Sequence, residues 1–176
     1  MLPKIDKLFI KKDNSTKIYP EFDYILKFDG CSKGNPGLAG AGAVLYYHDK
    51  EIWADMFFVG EKFTNNHAEY AGLILGLQEA KQLGIKILKV EGDSQLVINQ
   101  MNGTYRCQSK NLLDLYDRAK DLASEFEKIE YYHIYRKDNK RADQLSNDAV
   151  NEHLDNRYIY DDTDDDETVY LDKPNK

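Results

Sequence analysis

The stretch Tyr24-Ile-Leu-Lys-Phe-Asp-Gly-Cys-Ser-Lys-Gly-Asn-Pro-Gly37 decides how this chain folds. Its first part is apolar, fits a strand over about 23–30, and ends on an acid, Asp29. Its second part, Gly34 to Gly37, is a turn signal. A second strand follows as Ala41-Gly-Ala-Val-Leu-Tyr-Tyr-His48, then a turn at Asp49 and Lys50, then a third strand, Ile52-Trp-Ala-Asp-Met-Phe-Phe-Val59. Three β-prone runs joined by short links make an antiparallel meander.

Beyond the meander the periodicity changes. A helix is expected over about 65–83, with Ala68, Gly72, Gly76 and Ala80 as a small-residue stripe at i, i+4 spacing and Gly84 ending it. A strand at 86–92, a short helix at about 94–101 and a longer helix at about 110–126 follow. The longer helix places Leu112, Leu115, Ala119 and Leu122 on one face. A last strand at 129–136 precedes a last helix at about 139–154, with Ala142, Leu145, Ala149 and Val150 turned inward. Strands reached through helices lie parallel to neighbours in the sheet. The chain is therefore an α/β protein.

At 176 residues it fits one domain with flanks. Residues 1–20 are polar and Lys-rich and read as a loose extension, 21–156 as the folded body, and 157–176 as an acidic, disordered tail. Nine of the 31 acids and three of the 24 bases fall in 151–176, so the net −7 divides into −6 there and −1 for the rest. Without its four candidate carboxylates, that remainder is +3. A mildly basic body suits a polyanionic partner. No apolar run long enough to span a membrane occurs, and the start lacks a signal-peptide pattern. Two cysteines fit a reducing compartment, so an intracellular location is expected. The chain is also expected to be a monomer and to act away from membranes.

Four acids stand in separate settings. Asp29 and Asp93 end apolar strands, Glu69 opens a helix in Thr64-Asn-Asn-His-Ala-Glu69, and Asp143 opens the last helix in Asn139-Lys-Arg-Ala-Asp143. Sites in α/β sheets form at the carboxyl ends of strands. If the strands of Asp29 and Asp93 are adjacent and parallel, their carboxylates converge. Such a cluster needs cations, because like charges a few ångströms apart raise one another's pKa. Hard oxygen donors without Cys or His suit magnesium or manganese. Two ions about 4 Å apart can activate water and stabilise a leaving oxygen in phosphodiester hydrolysis.

Asp29-Gly-Cys-Ser-Lys-Gly-Asn-Pro-Gly37, Thr64-Asn-Asn-His-Ala-Glu69, Asp93-Ser-Gln95 and Asn139-Lys-Arg-Ala-Asp143 closely resemble, in order and spacing, the four motifs of type 1 ribonuclease H. The resemblance covers roughly 22–155. It implies a ribonuclease H-like fold with a five-stranded mixed sheet and helices on both faces. It implies metal-dependent endonucleolytic cleavage of the RNA strand of RNA–DNA hybrids, leaving 5′-phosphate and 3′-hydroxyl ends. Asp29, Glu69, Asp93 and Asp143 match the family's ligands for two Mg2+ ions, with Mn2+ as a substitute.

Asn35, Asn65, Asn66 and Gln95 match positions where the family touches the hybrid, and Asn111 matches less closely. Amides both donate and accept, which suits reading 2′-hydroxyls. The same asparagines also suit turns and helix caps. Tyr105 and Arg106, in Asn102-Gly-Thr-Tyr-Arg-Cys-Gln-Ser-Lys110, are expected to stack on and pair with the backbone, or to form an ordinary loop. This loop replaces the family's basic protrusion. The connection before Asp143 also lacks the family's loop histidine, and His133 falls within a strand as a structural residue. Both departures resemble the archaeal and plant-like branch. The alternatives are a related nuclease for double-stranded RNA or branched DNA, or a catalytically silent hybrid-binding module.

Overall fold

The computed structural model describes residues 22–161. The extension 1–20 and the acidic run from 162 onward lie outside these residues. Strands β1 (Tyr24–Lys33), β2 (Gly37–Tyr47) and β3 (Lys50–Phe63) form the expected meander. Its second turn lies at His48 and Asp49 rather than at Asp49 and Lys50. Both take positive φ, the conformation a two-residue hairpin requires, while Lys50 already pairs with Tyr47.

Helix α1 (Asn65–Gln82) starts from the Thr64 hydroxyl, which accepts from the His67 backbone N–H, and stops before Gly84 at φ +73°. Strand β4 (Ile87–Gly92), helices α2 (Gln95–Met101) and α3 (Lys110–Ala123), strand β5 (Lys128–His133) and helix α4 (Lys140–Asp161) complete the order. The sheet runs β3-β2-β1-β4-β5, with β1, β4 and β5 mutually parallel.

Several boundaries differ from expectation. β1 continues past Asp29 to Lys33 because its hairpin with β2 extends to Lys33↔Leu38, while its pairing with β4 ends at Phe28↔Gly92. β5 stops at His133, and a single 3-10 turn at Arg136–Asp138 leads into α4. α4 runs on to Asp161, beyond the expected 154, and α3 stops at Ala123, short of 126.

Alternation along the strands sends Leu26 and Phe28 to one face with Ala43 and Leu45 opposite them. There they meet Tyr70, Leu73 and Leu77 of α1 in the main core, which α3 closes with Leu112 and Ala119. Val44 points to the other face and packs on Ala142 and Leu145 of α4. Helices thus cover both faces. Glycines set how close they come: a Cβ on Gly42 would sit 2.5 Å from the Leu145 Cβ, and one on Gly72 2.6 Å from the Asp29 carbonyl oxygen. The second contact confirms the small-residue stripe as the seam along which α1 lies against β1.

Candidate active site

β1 and β4 are neighbours in parallel register up to Phe28↔Gly92, so the next residues, Asp29 and Asp93, leave the paired segment together. Glu69 arrives from above, carried by α1 one turn beyond its first residue rather than in the opening turn. One carboxylate oxygen from each of Asp29, Glu69 and Asp93 lies within 4.8 Å of the others. Asp29 and Glu69 are each only 4% exposed.

Three acids so placed cannot all ionise cheaply. Burial first, then the charges of Asp93 and Asp143, push Asp29 up to about 7, against the lowering effect of its Ser146 hydrogen bond. Burial, reinforced by Asp29 and Asp93, raises Glu69 well above the ordinary carboxylate range. The Asn65 side-chain amide donates to one Glu69 oxygen at 3.4 Å. The other, Oε2, is buried with no hydrogen-bond partner. An orphaned carboxylate oxygen among all-oxygen donors is what a hard divalent cation fits.

The raised Asp29 has a consequence for stability. The unfolded chain releases this proton near pH 4 and the folded chain near 7, so the folded state without metal loses stability as pH rises between those values. Asp29→Asn removes that loss. In chelator at pH 8 the variant is expected to melt about 5 °C above the parent, narrowing toward zero near pH 4–5. Thermal melts across that range check it, and a variant equally or less stable at pH 8 contradicts it.

Asp143 is not one of the converging three. It sits in the first turn of α4, and its Oδ1 accepts two hydrogen bonds from the Arg136 guanidinium, one of them from Nε at 2.9 Å. It lies near enough to Asp29 to raise that residue's pKa. Sequence reasoning missed three supporting residues. Asn139, 1% exposed, donates from its Nδ2 to the Phe28 carbonyl at 2.8 Å and to Asp93 Oδ1 at 3.0 Å. Ser146 Oγ reaches Asp29 Oδ2 at 2.5 Å. Arg136 holds Asp143. A signal existed for Ser146, which follows Asp143 by one helical turn and so shares its face. Arg136 carried none, because only the 3-10 turn folds it back. His133 ends β5, exposed, with Nε2 3.2 Å from the Asp93 backbone oxygen.

The amides divide. Asn35, at φ +25° in the turn after β1, accepts from the Asn65 backbone N–H at 2.9 Å, so it ties that loop to the start of α1. Asn35, Asn66, Arg106 and Asn111 line one groove of about 490 Å³ together with His67, Gln108 and Ser109. Gln95 and Tyr105 are exposed and are not among the groove's lining. Four of the seven expected contacts therefore come together, from the β1–β2 turn, α1, the α2–α3 loop and α3.

Comparison with known proteins shows the family of the chain. Residues 27–149 match the reverse transcriptase-like family. Ribonuclease HI of Halobacterium salinarum is 38% identical over 71% of this chain and 63% of its own length. The ribonuclease H of Dechloromonas aromatica is 32% identical over 70% of this chain and 90% of its own length. Among solved structures, the N-terminal RNase H domain of a Mycobacterium tuberculosis protein has a TM-score of 0.73 at 40% identity, covering 76% of this chain and 97% of that domain. LC11-RNase H1, solved in complex with an RNA/DNA hybrid, has a TM-score of 0.70 at 32% identity, over 74% and 99%. The chain belongs to the ribonuclease H family, type 1. It spans about a third of the length of some mycobacterial relatives, 35% in each of three.

Proposed function

We propose that this protein is a metal-dependent endonuclease that hydrolyses the RNA strand of RNA–DNA hybrids, leaving 5′-phosphate and 3′-hydroxyl ends. One observation carries the reading: three carboxylates converge within 4.8 Å, two of them buried, and one has an orphaned oxygen. Relatives named as ribonucleases H and the LC11 hybrid complex support the substrate class. Asp29, Glu69, Asp93 and Asp143 would hold two Mg2+ ions, with Mn2+ as a substitute, and these supply Lewis-acid stabilisation and an activated water.

The chain's own groups do the rest. Asn66, Asn111 and Arg106 offer donors along the groove for phosphate and sugar oxygens, and Asn35 fixes the loop beside them. Asn65 orients Glu69, and Asn139 ties Asp93 to the strand that carries Asp29. Arg136 balances the charge of Asp143. Recognition by shape and 2′-hydroxyls requires ribonucleotides, so an all-DNA duplex should survive.

The test is cleavage of labelled hybrid, double-stranded RNA, double-stranded DNA and a branched DNA junction, with magnesium and with chelator. Hybrid cutting that chelator abolishes is the expected result. Cutting of the junction or of DNA alone, or hybrid binding without cutting, overturns the proposal. Preferential cutting of double-stranded RNA moves the substrate assignment. The groove makes a second expectation. At about 1 kcal/mol per lost hydrogen bond, Asn66→Ala with Asn111→Ala raises KM for the hybrid about 30-fold. The kcat should change little, since neither residue touches the carboxylates. A KM within threefold of the parent removes the groove from the substrate path.

A further inference from the structure

We infer that Ser146 is a positioning residue that fixes the Asp29 carboxylate for metal binding. The inference rests on the metal-holding part of the proposed function. Ser146 is fully buried, at 0% exposure, on the face of α4 that lies against β1 and β2. Its hydroxyl has one proton and two acceptors in reach, Asp29 Oδ2 at 2.5 Å and the Asp143 carbonyl at 2.9 Å. The carbonyl has another donor, the Asn147 side-chain amide at 2.8 Å. An anionic acceptor makes the stronger bond, so the proton goes to the carboxylate. That bond engages Oδ2 and restricts rotation of the carboxylate, whose other oxygen, Oδ1, accepts nothing from Ser146.

The backbone of Ser146 is held as firmly as its side chain. The Cys31 thiol donates to its carbonyl at 3.1 Å. A Cβ on Gly40 would lie 2.2 Å from that carbonyl oxygen, and one on Gly42 2.7 Å from its nitrogen, so bare glycine backbone is what admits this turn of α4 to the sheet. The Ser146 backbone therefore cannot shift without moving α4, which also carries Asp143. One helical turn thus delivers a carboxylate and anchors the central one. Groups behind metal ligands commonly contribute 10- to 100-fold in affinity by restricting ligand orientation.

The experiment is calorimetric titration of the full chain with Mn2+, comparing the parent with Ser146→Ala and Ser146→Cys. Cysteine nearly keeps the volume but replaces a strong donor with a weak one. Both variants are expected to bind Mn2+ about tenfold more weakly. The kcat on the hybrid should fall by a similar factor, with KM unchanged. A merely structural serine would lower the melting temperature and leave metal affinity alone. Mn2+ affinity within twofold of the parent, in either folded variant, overturns the inference. The titration needs no cleavage, so a parent that binds Mn2+ but does not cut hybrids would defeat the proposed function and still leave the role of Ser146 readable.

Discussion

Asp29→Asn, Asp93→Asn and Glu69→Gln are each expected to lower hybrid cleavage by about 1,000-fold or more while the fold persists. The three carboxylates share one small volume, and two are almost fully excluded from water. Charge held in such a site acts without the screening that water gives. Removing one oxygen donor from a metal clamp costs several kcal/mol of transition-state stabilisation, and each 1.36 kcal/mol is about tenfold in rate. The diagnostic is the pairing of effects in Asp29→Asn, which should be inactive and, without metal, more stable than the parent. A residue placed for packing loses both together. Single-turnover cleavage and melts in chelator on the same preparation decide it, and cleavage within tenfold of the parent would remove Asp29 from the site.

Gly30→Ala produces the largest expected loss of stability. A Cβ there would lie 2.1 Å from the Ala68 carbonyl carbon and from the Glu69 backbone nitrogen. These are backbone atoms, so no rotamer change relieves the clash, and α1 has to lift from β1. Overpacking costs about 1–3 kcal/mol where side chains can adjust, and here they cannot. We expect about 3 kcal/mol or more, or about 6–12 °C in melting temperature. The lift moves Glu69 itself, so cleavage falls with stability. Gly103→Ala is the control: it has positive φ but open space around its Cβ, so its cost is only the backbone strain. Gly30→Ala melting no lower than Gly103→Ala would refute the close approach.

The order of elements, the meander, the parallel strands and the four acids were legible because each depends on local pattern. Alternating apolar residues mark a strand, the Ala68–Gly72–Gly76–Ala80 stripe marks a close helix, and Asp93 follows its strand directly. The β2–β3 turn was misplaced by one residue because His48 and Asp49 both tolerate positive φ, and the pattern alone does not choose between neighbouring registers.

What the sequence determined by itself was the family, since motif order and spacing are properties of the chain, and it singled out four carboxylates as candidates for the site. What only the tertiary structure decided was their relationship. Asp29, Glu69 and Asp93 converge, while Asp143 lies outside that trio, close enough to act on Asp29 and hydrogen-bonded to Arg136 of the 3-10 turn. Asn139, 46 residues from Asp93, and Ser146, 117 residues from Asp29, fix the two central acids. Glycine backbone at 30, 40, 42 and 72 sets the depth to which α1 and α4 approach. Such contacts join residues by distance across a packed sheet, and distance across a sheet leaves no period in the chain.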